Sequence, residues 1–360
     1  MGKELTFAVI GAGNAGQIVT ADLVRQGYRR TALVESNPET VQTIASRGGI
    51  EVVGEVAEWF APIPRLGVSL REALESSQII LIATNATGYR RLIPELAPML
   101  RNDHILVALT GYYASFILRQ ALRSQSIKTD AAMVEMMTLP FASRLVGPAQ
   151  VGLRCITVDL PTAVWPKRRT DEAFEKLTAV YPMLTRAGNV LEVSMNNPNP
   201  GFHVPVALLN LGRFESDEVK KGIFYGQWAS PGIKRVWGLV DEERMAVMRS
   251  LGLTPISQDR YRQIVYGNKP MKAVPTRGAI PASSYSLPPR FFDEDVPYGL
   301  CPISTFGHTI GTPTKTVDLL IDLASVVKDQ DYAKTGLSPE YLGVQGKSIE
   351  EVVRIAEGEL

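Results

Sequence analysis

The chain has 360 residues, 45% hydrophobic and 21% charged, with a formal net charge of +1. That length and apolar content suit more than one core, so two domains are expected, and the near-neutral charge argues against an electrostatic nucleic-acid binder. Two cysteines, Cys155 and Cys301, form neither a zinc spacing nor a disulfide framework, and no apolar run is long enough to span a bilayer; a cytoplasmic protein with no metal, nucleic-acid or membrane partner is expected.

The first strand, residues 7–10, breaks at once into Gly11-Ala12-Gly13-Asn14-Ala15-Gly16, the G-x-G-x-x-G spacing. Gly11 suits a tight turn out of a buried strand, Gly13 a close backbone approach to a pyrophosphate, and Gly16 close packing of helix on sheet. Asn14 and Ala15 lie where the following helix, expected over 15–26, would turn its free N–H groups and positive dipole end toward phosphates. The next strand, 31–34, ends at Glu35, about 20 residues beyond the motif, where a carboxylate accepts from ribose hydroxyls. Glu35 would repel a 2′-phosphate and no arginine follows it before Arg47, so NAD(H) is the expected cofactor, with NADP(H) left open.

A helix is expected from Asn37-Pro38 to about residue 46, short strands and turns over 48–64, and a helix over 70–75. Residues 78–83, apolar without a break from Ile79 on, suit the centre of a parallel sheet. Thr84 and Asn85 follow at the carboxyl end of that strand, where ligands lie in open α/β sheets; a polar loop without ligand contact is the alternative there. Residues 105–109 form a further strand, with Thr110-Gly111-Tyr112 at the same sheet edge, and 131–135 repeats the theme. Strand alternating with helix means a doubly wound α/β sheet. A strand over 151–160, a helix over 171–184 and a last strand over 188–193 complete a dinucleotide-binding domain of residues 1–193. Beyond it, helical spacing over 206–214, 236–251, 258–265 and 317–327 predicts an all-helical domain, residues 194–360.

Among the three histidines, His104 begins a strand and His308 sits in a short helix, neither with a carboxylate nearby in sequence. His203 lies where Asn199-Pro200-Gly201-Phe202 leads into a helix at the domain boundary, a place that can face a cleft; a solvent-facing or capping histidine is the plainer alternative. The second cluster is Arg290-Phe291-Phe292-Asp293-Glu294-Asp295-Val296-Pro297-Tyr298-Gly299. Its acids are compatible with a solvated loop, whereas its aromatic residues would hold it against the protein body. Spacing alone does not join His203 to Asp295.

The Gly11 loop, Thr138-Leu139-Pro140-Phe141-Ala142-Ser143-Arg144, the segment from Asn199 through His203 to Asn210, Asp241-Glu242-Glu243-Arg244, and Glu294-Asp295-Val296-Pro297-Tyr298-Gly299-Leu300-Cys301-Pro302 resemble the opine dehydrogenases. The resemblance covers nearly the whole chain. It implies a Rossmann domain followed by a helical one, and reductive condensation of a 2-oxo acid with the amino group of an amino acid, driven by a reduced nicotinamide nucleotide. By position it implies that His203 is the catalytic histidine, Asp295 its carboxylate partner, and Arg290 the clamp on the oxo acid carboxylate. Asn199 and Thr138 are weaker candidates for substrate contact. Two departures bear on the carry-over. Val204 stands where members often carry proline, and Met136-Met137 precede Thr138 where octopine-type enzymes carry an acid. The second favours an apolar amino donor over arginine, unless Glu135 swings into the site.

Two rivals stay open at this point. One is a two-domain 2-hydroxy acid or ketopantoate-type reductase that needs no amine; the other is a non-catalytic, nucleotide-sensing Rossmann protein. The expected partners are a 2-oxo acid and an amino acid or amine, and a homodimer is left open.

Overall fold

A computed structural model describes residues 5–216, 228–267 and 288–359. Twelve strands run in chain order as β1 (Phe7–Ile10), β2 (Ala32–Val34), β3 (Gly49–Val53), β4 (Trp59–Pro62), β5 (Arg65–Leu66), β6 (Ile79–Ile82), β7 (Ile105–Ala108), β8 (Ala132–Met136), β9 (Phe141–Gly147), β10 (Gln150–Ile156), β11 (Leu160–Trp165) and β12 (Leu184–Arg186). The main sheet has the order β12-β11-β8-β7-β6-β1-β2-β5, parallel throughout except for the antiparallel β11–β8 pair. Its central strands β1, β6, β7 and β8 are buried at every residue. Apolar side chains of both pleat faces therefore feed two cores, Ile10, Ile80 and Leu106 on one side and Val9, Leu81 and Val107 on the other. The ends of β1, β6 and β7 line up in one edge, and the loops there carry the residues of interest.

A second, four-stranded sheet, β4-β3-β10-β9, packs on the first helix. It corrects the expected strand over 151–160, which is two strands, β10 in the small sheet and β11 in the main one. The turn between them contains Thr157, whose hydroxyl donates to the carbonyl of Leu139 at 2.8 Å. The expected helix over 171–184 ends at Thr178, and β12 follows it. The expected strand over 188–193 is also overturned, because Val190–Met195 is a helix. Asn189 explains this: its side chain accepts the Glu192 N–H at 3.0 Å, an N-cap that stabilises a helix start by about 1 kcal/mol and outweighs the β-branched valines.

The described residues beyond Met195 form helices, among them Asn199–Leu209, Leu211–Glu215, Pro231–Ser250, Gln258–Tyr266, Arg290–Asp293, Cys301–Ile310 and Lys315–Lys328. The segment expected as one helix over 206–214 is divided at Asn210, whose amide donates back to the Val206 carbonyl at 2.9 Å and across to the Trp228 carbonyl at 3.2 Å. Asp241 and Arg244, buried on helix Pro231–Ser250, tie that helix to the domain entry: Arg244 bonds Asp241 at 2.6 Å and Asn196 at 2.9 Å. Among the described residues, no helix is long and apolar enough to cross a membrane.

Candidate active site

The glycine loop has the shape that a dinucleotide requires. Gly11 sits at φ +100°, and a Cβ on Gly16 would overlap the Gly11 carbonyl oxygen, so strand and helix meet there only without a side chain. A Cβ on Gly13, by contrast, would meet nothing within 4 Å, which leaves room beside the helix Asn14–Arg25 for a phosphate group. Glu35 lies next to this space, accepting the Ala12 N–H at 2.7 Å and the Asn37 N–H at 2.8 Å. Thr84 packs its methyl group toward Gly11, and its buried hydroxyl has no hydrogen-bond partner among the described residues. That orphaned hydroxyl, the open face of Gly13 and the carboxylate of Glu35 together fit a nicotinamide dinucleotide laid across the sheet edge. Asn14 is engaged elsewhere as well: its side-chain oxygen accepts from the Leu145 N–H of β9.

From this loop the structure leads directly to the second cluster. The N–H of Ala86, one residue beyond Asn85, donates to Glu294 Oε1 at 2.6 Å. The neighbouring Asp295 is fully buried, accepts a hydrogen bond from the Tyr112 hydroxyl at 2.5 Å, and lies 2.6 Å from Nδ1 of His203. Residues 92 apart in sequence are thus in hydrogen-bond contact. His203 is the fifth residue of helix Asn199–Leu209, and its ring stacks on Phe291 at 4.1 Å between centroids. Asp295 leads into a π-helical turn, Val296–Leu300, which presses Gly299 against Pro200 at the start of the histidine helix. The aromatic pair and this packing fix the imidazole from two sides.

Electrostatics divide the cluster. Burial lowers the pKa of His203 below the usual histidine range, an effect partly offset by the charge and hydrogen bond of Asp295. Burial and the Asp295 charge push Glu294 up to about 7. Arg290 approaches Glu294 Oε2 at 3.6 Å with its side chain 44% exposed, so the guanidinium stands at the mouth of the cluster, close enough for its charge to bear on His203.

Two of the weaker candidates lie around this centre. Asn199 is half-buried one helical turn before His203, its N–H donating to Asn197 Oδ1 at 3.1 Å. Thr138 meets the Tyr261 hydroxyl at 3.5 Å, and Tyr261 in turn contacts the Phe202 ring. Met136 and Met137 are fully buried on opposite sides of the sheet, Met137 in the core that also holds Val204 and Phe291. Glu135 does not swing into the site; Ser115 N–H and the Ser194 hydroxyl hold its buried carboxylate at 2.8 and 2.5 Å. Local sequence gives Tyr112 and Glu294 no individual role, and gives Phe291 only that of anchoring its loop. Among the described residues there is no cluster of acids, histidines and cysteines able to hold a metal ion.

Residues 186–328 match the family described as NAD/NADP octopine/nopaline dehydrogenase, alpha-helical domain, and residues 6–112 match that described as NADP oxidoreductase coenzyme F420-dependent. The chain is 26% identical to the opine dehydrogenase of Arthrobacter sp. (strain 1C), with 96% of each chain covered. Its fold is similar to octopine dehydrogenase solved with NADH and pyruvate, at 15% identity and a TM-score of 0.73, with 99% and 98% of the two chains covered. It is also similar to yersinopine dehydrogenase with NADP+ bound, at 16% identity and a TM-score of 0.71 over 99% and 98% of the chains. A Rossmann sheet edge closed by a helical domain, together with these matches, defines an NAD(P)-dependent oxidoreductase. Residues 186–328 carry the helical domain of the opine dehydrogenases, and the matches support an oxidoreductase acting on CH–NH donors.

Proposed function

We propose that the protein joins a pyruvate-like 2-oxo acid to the amino group of an amino acid and reduces the product to a secondary amine, consuming one NADH and one proton and releasing one water. The observation that carries this reading is the buried His203–Asp295 pair at 2.6 Å, joined through Glu294 and Ala86 to the cofactor edge of the sheet. When bound, the dinucleotide supplies a hydride; Gly11, Gly13, Ala15, Gly16, Glu35, Thr84 and Asn85 are the residues that would hold it, with Asn14 contributing through its backbone.

The chain's own residues supply the proton chemistry. Asp295 accepts from Nδ1 of His203, which places the basic lone pair of the neutral ring on Nε2. Burial keeps that ring neutral over much of the neutral pH range. A neutral imidazole takes the proton that an ammonium group must lose before it attacks a carbonyl, and returns a proton to the oxygen that leaves as water. Asp295 stabilises the imidazolium between these two transfers. Arg290, exposed at the mouth, holds the oxo acid carboxylate through two parallel hydrogen bonds and thereby orients the carbonyl; Asn199 and Thr138 complete the substrate wall.

We assign the cofactor domain to residues 1–193 and the substrate domain to 194–360. A sequence with two cysteines, Cys155 and Cys301, and hence no disulfide framework, supports a cytoplasmic location. Exposed Leu319, Leu323 and Val326 on helix Lys315–Lys328 support a homodimer, which sedimentation would test. The function itself is tested by a panel of amines against 2-oxo acids with NADH. Oxidation that requires both substrates supports the reading, and oxidation that proceeds at full rate without any amine overturns it.

A further inference from the structure

The turn after β7 carries a feature that the His203–Asp295 pair does not explain. Tyr112 and Tyr113 both adopt left-handed backbone, φ 45° and 62°, which non-glycine residues take up only when their surroundings enforce it. The enforcement is visible. Gly111 N–H donates to the Met136 carbonyl at 2.9 Å, Tyr113 N–H to Ser194 Oγ at 2.9 Å, and Ser115 N–H to Glu135 Oε1 at 2.8 Å. The Ser194 hydroxyl closes the network on Glu135 Oε2, and a Cβ on Gly111 would collide with both of those side chains. A fully buried carboxylate on β8 and a serine from the helix Val190–Met195 therefore staple a strained turn.

The strained turn presents one polar atom across the domain boundary, the hydroxyl of Tyr112. Its ring is 2% exposed, and the hydroxyl lies 2.5 Å from Asp295 Oδ1, the oxygen not paired with His203. We propose that Tyr112 is a positioning residue, holding Asp295 in the orientation that fixes the His203 ring, so that the pair is assembled only when residues 290–295 dock on the turn after β7. This rests on the catalytic reading of His203 and Asp295. A tyrosine needed only to fill the core would not have its hydroxyl delivered to a buried carboxylate by a costly backbone. Burial and the neighbouring Asp295 and Glu294 charges hold the phenol protonated, and Arg290 opposes them only in part, so Tyr112 stays a donor throughout the working pH range.

The test is steady-state turnover of the full-length protein with NADH, a 2-oxo acid and an amine, as a function of pH, for Tyr112→Phe, Asp295→Asn and the double variant, with NADH binding and thermal unfolding measured alongside. Tyr112→Phe is expected to lower kcat about tenfold to hundredfold, the scale of one lost hydrogen bond to a charged group, with NADH affinity unchanged. The kinetic pKa assigned to His203 should rise, because Asp295 no longer shares its charge with a second donor. In the Asp295→Asn background the same change should add little, since Tyr112 then has no carboxylate to position. Ser194→Ala, which loosens the turn and spares the hydroxyl, should lower kcat in the same direction and keep the proposal testable if Tyr112→Phe folds poorly. Full activity of Tyr112→Phe beside a crippled Asp295→Asn, or a Tyr112→Phe loss undiminished in the double variant, overturns the role of Tyr112. Wild-type turnover in Asp295→Asn overturns the catalytic reading beneath it.

Discussion

Replacing Asp295 by Asn keeps the shape of a fully buried side chain and removes its charge. The carboxylate serves two donors at once, Tyr112 at 2.5 Å and His203 Nδ1 at 2.6 Å. An amide has one acceptor oxygen, so one of those donors is left facing an NH2 group. A lost hydrogen bond to a charged group costs about 1.5 to 3 kcal/mol, which is about one to two pK units of imidazolium stabilisation at roughly 1.4 kcal/mol per unit. The sign follows from the environment: burial already depresses His203, Asp295 is what raises it, and removing that charge depresses it further. The acid limb of kcat/KM for the oxo acid should therefore move to lower pH by about one to two units, and kcat should fall about a hundredfold as the imidazolium loses its support. The assay is the initial rate of NADH oxidation at saturating amine across the neutral range. An unmoved acid limb with kcat within about twofold of wild type would refute the pairing as a functional unit.

Four further outcomes follow from the same geometry. His203→Ala should lower kcat about a hundredfold or more while NADH still binds, as read by turnover and fluorescence titration. Arg290→Ala should raise KM for the oxo acid about tenfold to hundredfold and change amine dependence less; unchanged kinetics for the oxo acid would remove Arg290 from the site. Glu35→Ala should erode the preference for NADH over NADPH by removing the charge beside the ribose, and equal efficiency of the two cofactors in the wild type would contradict the role of Glu35. Glu294, with a folded-state value raised from 4.5 to about 7, favours the folded state below the ordinary carboxyl range, and that contribution is lost as pH rises through about 7. Glu294→Gln, which keeps the acceptor for Ala86, should flatten the decline of Tm over that window, and an unchanged profile would show that Glu294 does not titrate there.

Much of the fold is written in local signals. Gly11, Gly13 and Gly16 mark one turn, and unbroken apolar runs such as Ile79–Ile82 admit few placements other than the centre of a parallel sheet. The failures are equally physical. The strand expected over 188–193 fails because the strand propensity of Val190 and Val193 yields to the Asn189 cap. The strands β3, β4 and β10 have local signals, but their assembly into a separate small sheet does not, because β9 is half-exposed and the pairing of β10 with β3 is set by tertiary contact. At the site, His203 and Asp295 could be associated only through family resemblance, since nothing local spans the distance in sequence. Tyr112 was legible only as a residue at the sheet edge. Its importance comes from backbone strain and from anchors on β8 and the helix Val190–Met195, neither of which leaves a sequence pattern.

The most direct test of the account follows a labelled nitrogen. The protein is incubated with NADH, a 2-oxo acid and an amino acid carrying 15N, and the products are resolved by mass spectrometry. The expected product is a secondary amine that contains the label and the carbon skeletons of both substrates, formed in proportion to the NADH consumed. A 2-hydroxy acid formed in that proportion, beside unchanged labelled amino acid, would contradict the proposed condensation.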